Sequence, residues 1–232
     1  MSKKLSRRKF IQSTAASTAA VSIPSILHCR SPNSKLNVGL IGVGGRGRGH
    51  VNACKNENIV SLCDVNYSNL KGAQRIAPKA RSYKDLRDFC GELDDLDAVV
   101  VSTTEHTHAF ATLPALKAGK HVYCEKPISL TIAEGRRMVD AMHKTEAGEI
   151  RKDSIFFQTG SQQRNEYGGK FRRTVEMIRS GAIVKLKKIQ VCVGPPPKPC
   201  DLPAEPVPEG TDWDAWLGPA PELGYNKILC PD

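Results

Sequence analysis

The chain has 232 residues, of which 40% are hydrophobic and 6% aromatic, and a formal net charge of +10, so it can form one domain and part of a second. Six positive charges lie in residues 1–34, which contain no acidic residue: Lys3, Lys4, Arg7, Arg8, Lys9 and Arg30. The rest of the chain is modestly basic and does not interleave basic with aromatic residues, so we expect no nucleic-acid partner.

Residues 1–34 have the order of an export signal followed by a linker. The segment SRRKFI contains the pair Arg7 and Arg8, and it precedes a weakly apolar run rich in Ala, Ser and Thr at residues 13–27. That run is short for a transmembrane helix. The pattern resembles a bacterial twin-arginine signal, which implies recognition by the twin-arginine export machinery and a periplasmic location. A disordered basic tail is the alternative.

Residues 35–160 alternate between strand-like and helix-like segments. Apolar runs predict strands at Asn37–Ile41, 59–64, 96–103, His121–Cys124 and 155–158. Helices are predicted from the glycine loop to about residue 55, and at 68–77, 106–118 and 131–144. Repeated β-α units with short connections predict an α/β fold with a doubly wound parallel sheet, that is, a Rossmann domain.

Residues 161–232 contain much less regular structure. The sequence predicts one helix at 171–180 and one strand at 184–193, followed by a proline-rich extended loop at 194–221. Trp213 and Trp216 are expected to anchor this loop to a surface. Because a single strand cannot form a sheet, we expect only the incomplete start of a second domain here.

A glycine motif lies directly after the first strand. Gly42, Gly44 and Gly47 form G-x-G-x-x-G where a helix begins, so backbone N–H groups and the helix dipole can receive a pyrophosphate. The second predicted strand ends at Asp64, where a carboxylate can accept hydrogen bonds from an adenosine ribose. Asp64 would repel a 2′-phosphate, which favours NAD over NADP, although Arg46 or Arg48 could weaken that preference. The alternative is a tight turn with Asp64 capping the next loop.

Lys126 follows the carboxyl end of the strand in HVYCEKPISL, the end of a parallel sheet where ligands bind. Pro127 restricts the backbone of Lys126, so its side chain would be held in a defined direction. A lysine there could hydrogen-bond a substrate hydroxyl and assist proton transfer. A surface Glu125–Lys126 pair without a chemical role is the alternative.

Neither cysteines nor histidines predict a metal site. The eight cysteines contain no C-x-x-C pair, and most are expected to be small core residues. His106 and His108 are two positions apart, so they do not share a helix face.

Three segments, GLIGVGGRG, STTEHTHAFATLPALKAGKHVYCEKP and FFQTGSQQR, resemble the glucose-fructose oxidoreductase, inositol dehydrogenase and rhizopine-catabolism family, called Gfo/Idh/MocA. The resemblance runs from about residue 36 to 226. It implies a Rossmann domain followed by an α/β domain with an open, mainly antiparallel sheet, and NAD(P)-dependent hydride transfer to or from a sugar or polyol.

The resemblance also implies roles for individual residues. Gly42, Gly44 and Gly47 would hold the pyrophosphate and Asp64 the adenosine ribose, and Arg46 is a further candidate cofactor-binding residue. Thr103, His108 and Glu125 would lie along the nicotinamide half, with Lys126 at the substrate hydroxyl. The family's T-P-N-x-x-H element is replaced here by TTEHTH at residues 103–108, which lacks the proline and asparagine.

A second departure concerns the downstream D-x-x-x-H histidine of the family. After Pro127 the chain has only His143, which lies in a predicted helix. We therefore expect a C-terminally truncated member of an exported oxidoreductase family, with a homo-oligomer possible at full length. The alternative is a catalytically inactive NAD-binding protein. A Rossmann domain for a methyl-donor nucleotide is a third hypothesis, which Glu125-Lys126-Pro127 disfavours.

Overall fold

The computed structural model describes residues 34–146, 155–162, 167–183, 185, 187–192, 194–195 and 201–230. The predicted export signal, including Arg7 and Arg8, lies outside these residues. No helix within the described ranges combines the length and apolar character that crossing a bilayer requires.

Six strands form one sheet with the order β3-β2-β1-β4-β5-β6, and every neighbouring pair is parallel. The strands are β1 (Asn37–Ile41), β2 (Asn58–Cys63), β3 (Arg81–Tyr83), β4 (Ala98–Val101), β5 (His121–Cys124) and β6 (Phe157–Thr159). Ile41 lies in register with Cys63 on one side and with Val101 on the other. The carboxyl ends of the central strands therefore meet at one edge, and the predicted doubly wound parallel sheet is confirmed.

Helices connect the strands. They are α1 (Gly45–Ala53), α2 (Tyr67–Gln74), α3 (Leu86–Cys90), α4 (Glu105–Lys117) and α5 (Ile132–Glu146). The predicted helices are confirmed with ends shifted by a few residues, and Gly119 ends the α4 turn with a φ of 66°. The strand β3 and the helix α3 were not predicted, because three and five residues are too few to show a period.

Apolar side chains fill both faces of the sheet. On one face α1 and α2 cover Val38, Leu40 and Leu62, whereas on the other α4 and α5 cover Val99 and Val101. This alternation follows from the two-residue period of a strand. Cys63 and Cys124 are buried together with Phe89, in the same apolar cluster as Val99 and Val101. Burial raises the pKa of the Cys124 thiol to about 11.

Beyond β6 the structure is less regular. Helix α6 (Lys170–Arg179) agrees with the predicted helix, but none of its residues is buried. The described residues of the predicted strand at 184–193, namely 185 and 187–192, form no strand, and Ile189 and Val191 remain exposed. The reason is that a strand needs a hydrogen-bonding partner. The predicted extended loop contains a short helix, α7 (Trp213–Leu217).

Candidate functional site

A cavity of about 760 Å³ opens at the carboxyl edge of the sheet, a size typical of ligand pockets. Its walls come from the loops that follow β1, β2, β3 and β4, and from residues near α7. The predicted site residues that line it are Gly42, Gly44, Arg46, Asp64 and Thr103. Gly47, His108, Glu125 and Lys126 are not among the lining residues.

The glycine motif brings α1 into close contact with β1. Gly42 has a φ of 75°, and a Cβ there would lie 2.7 Å from the carbonyl oxygen of Ser102. A Cβ on Gly47 would overlap the carbonyl oxygen of Gly42, and one on Gly44 would overlap the side chain of Asn69. Backbone atoms thus exclude a side chain at Gly42 and Gly47, whereas at Gly44 the Asn69 side chain would have to move. Gly44 is the N-cap of α1 and supplies no capping side chain, so the first turn can offer N–H groups to an anion.

Asp64 connects the glycine loop to the end of β2. Its Oδ2 atom accepts hydrogen bonds from the backbone N–H groups of Val43 at 2.8 Å and Gly44 at 3.1 Å. Its Oδ1 atom accepts from the N–H of Asn66 at 2.9 Å and from Asn69 Nδ2 at 3.3 Å. A carboxylate offers about four acceptor positions. A ribose hydroxyl would therefore compete most easily with Asn69, whose hydrogen bond is the longest and comes from a movable side chain.

Ser102 provides a test of whether the cavity suits a polar ligand. Its Oγ atom is buried and has no hydrogen-bond partner among the described residues, yet Ser102 lines the cavity. A buried polar atom without a partner costs free energy. A ligand that brings a hydroxyl or phosphate oxygen would supply that partner, and the glycine loop leaves room for such a group. The residues present therefore fit a dinucleotide.

Glu125 is a buried carboxylate with several hydrogen-bond donors around it. Its side chain is buried, with the residue 4% exposed. Its Oε1 atom accepts hydrogen bonds from Arg46 Nε at 3.0 Å, His50 Nε2 at 2.9 Å and the Tyr123 hydroxyl at 3.4 Å. Burial by itself raises the pKa of this carboxyl, but the hydrogen bonds from Arg46 and His50 and from the N–H of Lys126 lower it to about 2. Glu125 thus joins the glycine loop to the loop after β5.

His108 is buried within the protein. Its Nδ1 atom lies 2.6 Å from the carbonyl oxygen of Pro127, and its Nε2 atom lies 2.8 Å from that of Thr103. Both ring nitrogens therefore contact backbone carbonyls rather than the cavity. In this arrangement His108 connects the loops that follow β4 and β5.

Lys126 lies at the sheet edge that was predicted for it. Its side chain is exposed, and within the described residues it has no hydrogen bond or ion pair. Its backbone N–H donates to Glu125 Oε2 at 3.1 Å, and the Lys126–Pro127 peptide is cis. The backbone is thus held in place while the ammonium group faces solvent beside the site.

Sequence reasoning missed one wall of the cavity. Residues 210–219, here called the closing segment, contribute Asp212, Trp216 and Pro219 to its lining. The two tryptophans of WDAWLGP were the available signal, but only their anchoring role was predicted. His50, which contacts Glu125, was also missed, since nothing local marks a helix histidine as its partner.

Residues 36–148 match a family model described as an oxidoreductase family with an NAD-binding Rossmann fold. Among curated relatives, an inositol 2-dehydrogenase of Klebsiella pneumoniae is 36% identical over 114 residues, covering 47% of this chain and 34% of that protein. A myo-inositol 2-dehydrogenase of Thermotoga maritima is 28% identical over 170 residues, covering 72% and 48%. The chain thus spans between a third and a half of the length of these relatives.

Solved structures show the same similarity. A crystal structure of myo-inositol dehydrogenase from Lactobacillus casei, in complex with NAD(H) and myo-inositol, superposes with a TM-score of 0.55 at 27% identity. The superposition covers 64% of this chain and 42% of that one. Together with the match over residues 36–148, these relatives support the family resemblance found in the sequence.

Proposed function

We propose that this chain, whose residues 36–148 match an NAD-binding oxidoreductase family, binds NAD(H) in the cavity at the sheet edge and acts as a dehydrogenase. The observation that supports this most directly is the arrangement of the glycine loop, Asp64 and the unpartnered Ser102 Oγ around one cavity. The proposed substrate is a polyol or sugar, since relatives on both comparisons are inositol dehydrogenases by name.

In this proposal each part of the site has a separate task. The N–H groups at the start of α1, where Gly44 and Gly47 carry no side chain, would hold the pyrophosphate, and Asp64 would accept a hydrogen bond from the adenosine ribose. When bound, the nicotinamide would supply the hydride acceptor or donor. Thr103 would lie beside its ribose.

Lys126 would bind and polarise the substrate hydroxyl. Its ammonium group is exposed at the same sheet edge and can donate a hydrogen bond to that oxygen, while the neutral amine could accept its proton. Glu125 and His108 would act as positioning residues, because they fix the backbone on either side of Lys126.

The hydrogen bonds of the two arginines near Asp64 support the proposed preference for NAD. Arg46 donates to Glu125, and Arg48 donates to the carbonyl oxygens of Val43 and Asn69. Both arginines thus have partners within the protein and are poorly placed to receive a 2′-phosphate, which supports a preference for NAD.

We also propose that the protein is exported to the periplasm by the twin-arginine route. Fractionation of the source cells would test this proposal, and finding the protein in the cytoplasm would contradict it.

Titration of the full chain with NADH and NADPH tests the cofactor proposal. We expect tighter binding of NADH, and Asp64→Asn should weaken NADH binding about tenfold, since a hydrogen bond to a charged group contributes roughly 1.5–3 kcal/mol. NADPH binding should change less, because the substitution also removes repulsion of the 2′-phosphate. Equal loss of both would show that Asp64 acts only on the glycine loop, and no binding of either nucleotide by the unmodified chain would overturn the proposed function.

Lys126→Ala tests the proposed catalytic residue. Polyol-dependent reduction of NAD should fall about 100-fold, within the range for loss of a general acid-base group, while the Kd for NADH stays within about twofold. Lys117→Ala is the matched control, since Lys117 is also exposed but lies at the far end of α4. Unchanged turnover in Lys126→Ala would remove this lysine from the mechanism.

A further inference from the structure

We propose that the closing segment is part of the dinucleotide site, and that Trp216 positions the adenine. This inference rests on the proposed function and adds to it a wall that the Rossmann fold itself does not contain. In the sheet order, the cavity lies over the ends of β1 to β4 and does not reach Glu125 or Lys126 at the end of β5. It therefore corresponds to the adenosine half of a dinucleotide that extends toward Lys126.

Backbone hydrogen bonds hold the closing segment against residues 65–67, which directly follow Asp64. The N–H of Asp212 donates to the carbonyl oxygen of Val65 at 3.0 Å, and the N–H of Tyr67 donates to that of Gly210 at 3.1 Å. Between these hydrogen bonds, Thr211 pairs with Asn66 in an antiparallel bridge. The backbone of the segment is thus fixed beside the carboxylate proposed to bind the ribose.

Contacts on several sides hold the Trp216 ring in one place. It stacks on Trp213 with centroids 4.6 Å apart and planes inclined by 14°, and it meets His106 edge-on at 5.0 Å. The carbonyl oxygen of Trp216 lies 2.8 Å from His106 Nε2. Trp213 is in turn held by a hydrogen bond from Nε1 to the carbonyl oxygen of Leu223 at 2.6 Å. A ring fixed in this way loses little conformational entropy when a ligand binds.

The wall around Trp216 suits a base rather than a phosphate. Leu86, Phe110 and Ala111 line the same cavity, and Phe110 is 61% exposed although it is large and apolar. An adenine would cover this surface, since bases stack on aromatic side chains. Gly42 and Gly44 line the same cavity, and the pyrophosphate would bind beside them at the first N–H groups of α1.

Binding of three nucleotides to Trp216→Ala tests this inference. NADH and ADP-ribose both contain adenosine, whereas nicotinamide mononucleotide does not. We expect Trp216→Ala to weaken NADH and ADP-ribose about tenfold, in line with base stacking on an aromatic ring, and to leave nicotinamide mononucleotide unchanged. Trp216→Phe keeps an aromatic face and should recover most of the lost affinity.

Phe110→Ala provides a second test that does not depend on the closing segment remaining folded. Because Phe110 is exposed, this variant should fold normally and bind ADP-ribose several-fold more weakly. Unchanged ADP-ribose binding in folded Trp216→Ala, or in Phe110→Ala if Trp216→Ala does not fold, would overturn the inference while leaving NAD binding intact. Failure of the unmodified chain to bind NADH would instead overturn the proposed function together with it.

Discussion

Gly47→Ala should lower the free energy of unfolding by about 3 kcal/mol, toward the upper end for overpacking in a well-packed region. The added Cβ would overlap the carbonyl oxygen of Gly42. That oxygen belongs to the backbone, so no rotamer change relieves the overlap, and α1 would have to move away from β1. The same movement would displace the N–H groups of the first turn. We therefore expect NADH binding to be lost along with stability, as measured by urea unfolding and by titration.

Gly49→Ala is the matched control for this prediction. Gly49 lies in the same helix, two residues further on, and a Cβ there would meet nothing within 4 Å. Alanine is favoured over glycine within a helix by about 0.5–1 kcal/mol, so this variant should be slightly more stable than the unmodified protein. If the two variants shifted the unfolding midpoint in the same direction, close packing of α1 against β1 would not explain the glycine at position 47.

The sheet and its binding edge could be predicted because their signals are local. Apolar runs of four or more residues with glycine and helix patterns between them define β1, β2, β4 and β5, and the glycine motif identifies the edge where α1 begins. The strand β3 and the helix α3 were not predicted because they are short. In addition, β3 lies at the edge of the sheet, where burial is incomplete.

Contacts between distant parts of the chain could not be predicted in the same way. Glu125 meets His50 and Arg46 across 75 and 79 positions of sequence. The contact exists only because the sheet order places the end of β5 near α1. The family resemblance implied that His108 lies along the nicotinamide half, but it did not predict that both ring nitrogens contact backbone carbonyl oxygens. The resemblance implied that Glu125 and His108 belong near the site, but the direction of their side chains depends on the fold.

The buried carboxylate of Glu125 leads to the second prediction. Its pKa of about 2 in the folded protein lies below the value of about 4.3 expected in the unfolded chain. The unfolded state therefore binds the proton more tightly, and Glu125 stabilises the fold by about 3 kcal/mol above pH 4.3. This stabilisation should decline as the pH falls from about 4.3 to about 2 and should be absent below that range.

Glu125→Gln separates this contribution from those of the other carboxylates. At pH 7 the variant should be about 3 kcal/mol less stable than the unmodified protein, because Arg46 and His50 lose a charged acceptor. The difference should shrink as the pH falls and should be close to zero near pH 2, measured by urea unfolding across the series. Glu222→Gln, which alters an exposed carboxylate, should follow the unmodified protein at every pH. A gap between Glu125→Gln and the unmodified protein that stayed constant down to pH 2 would mean that the Glu125 side chain stabilises the loop after β5 through its shape and not its charge.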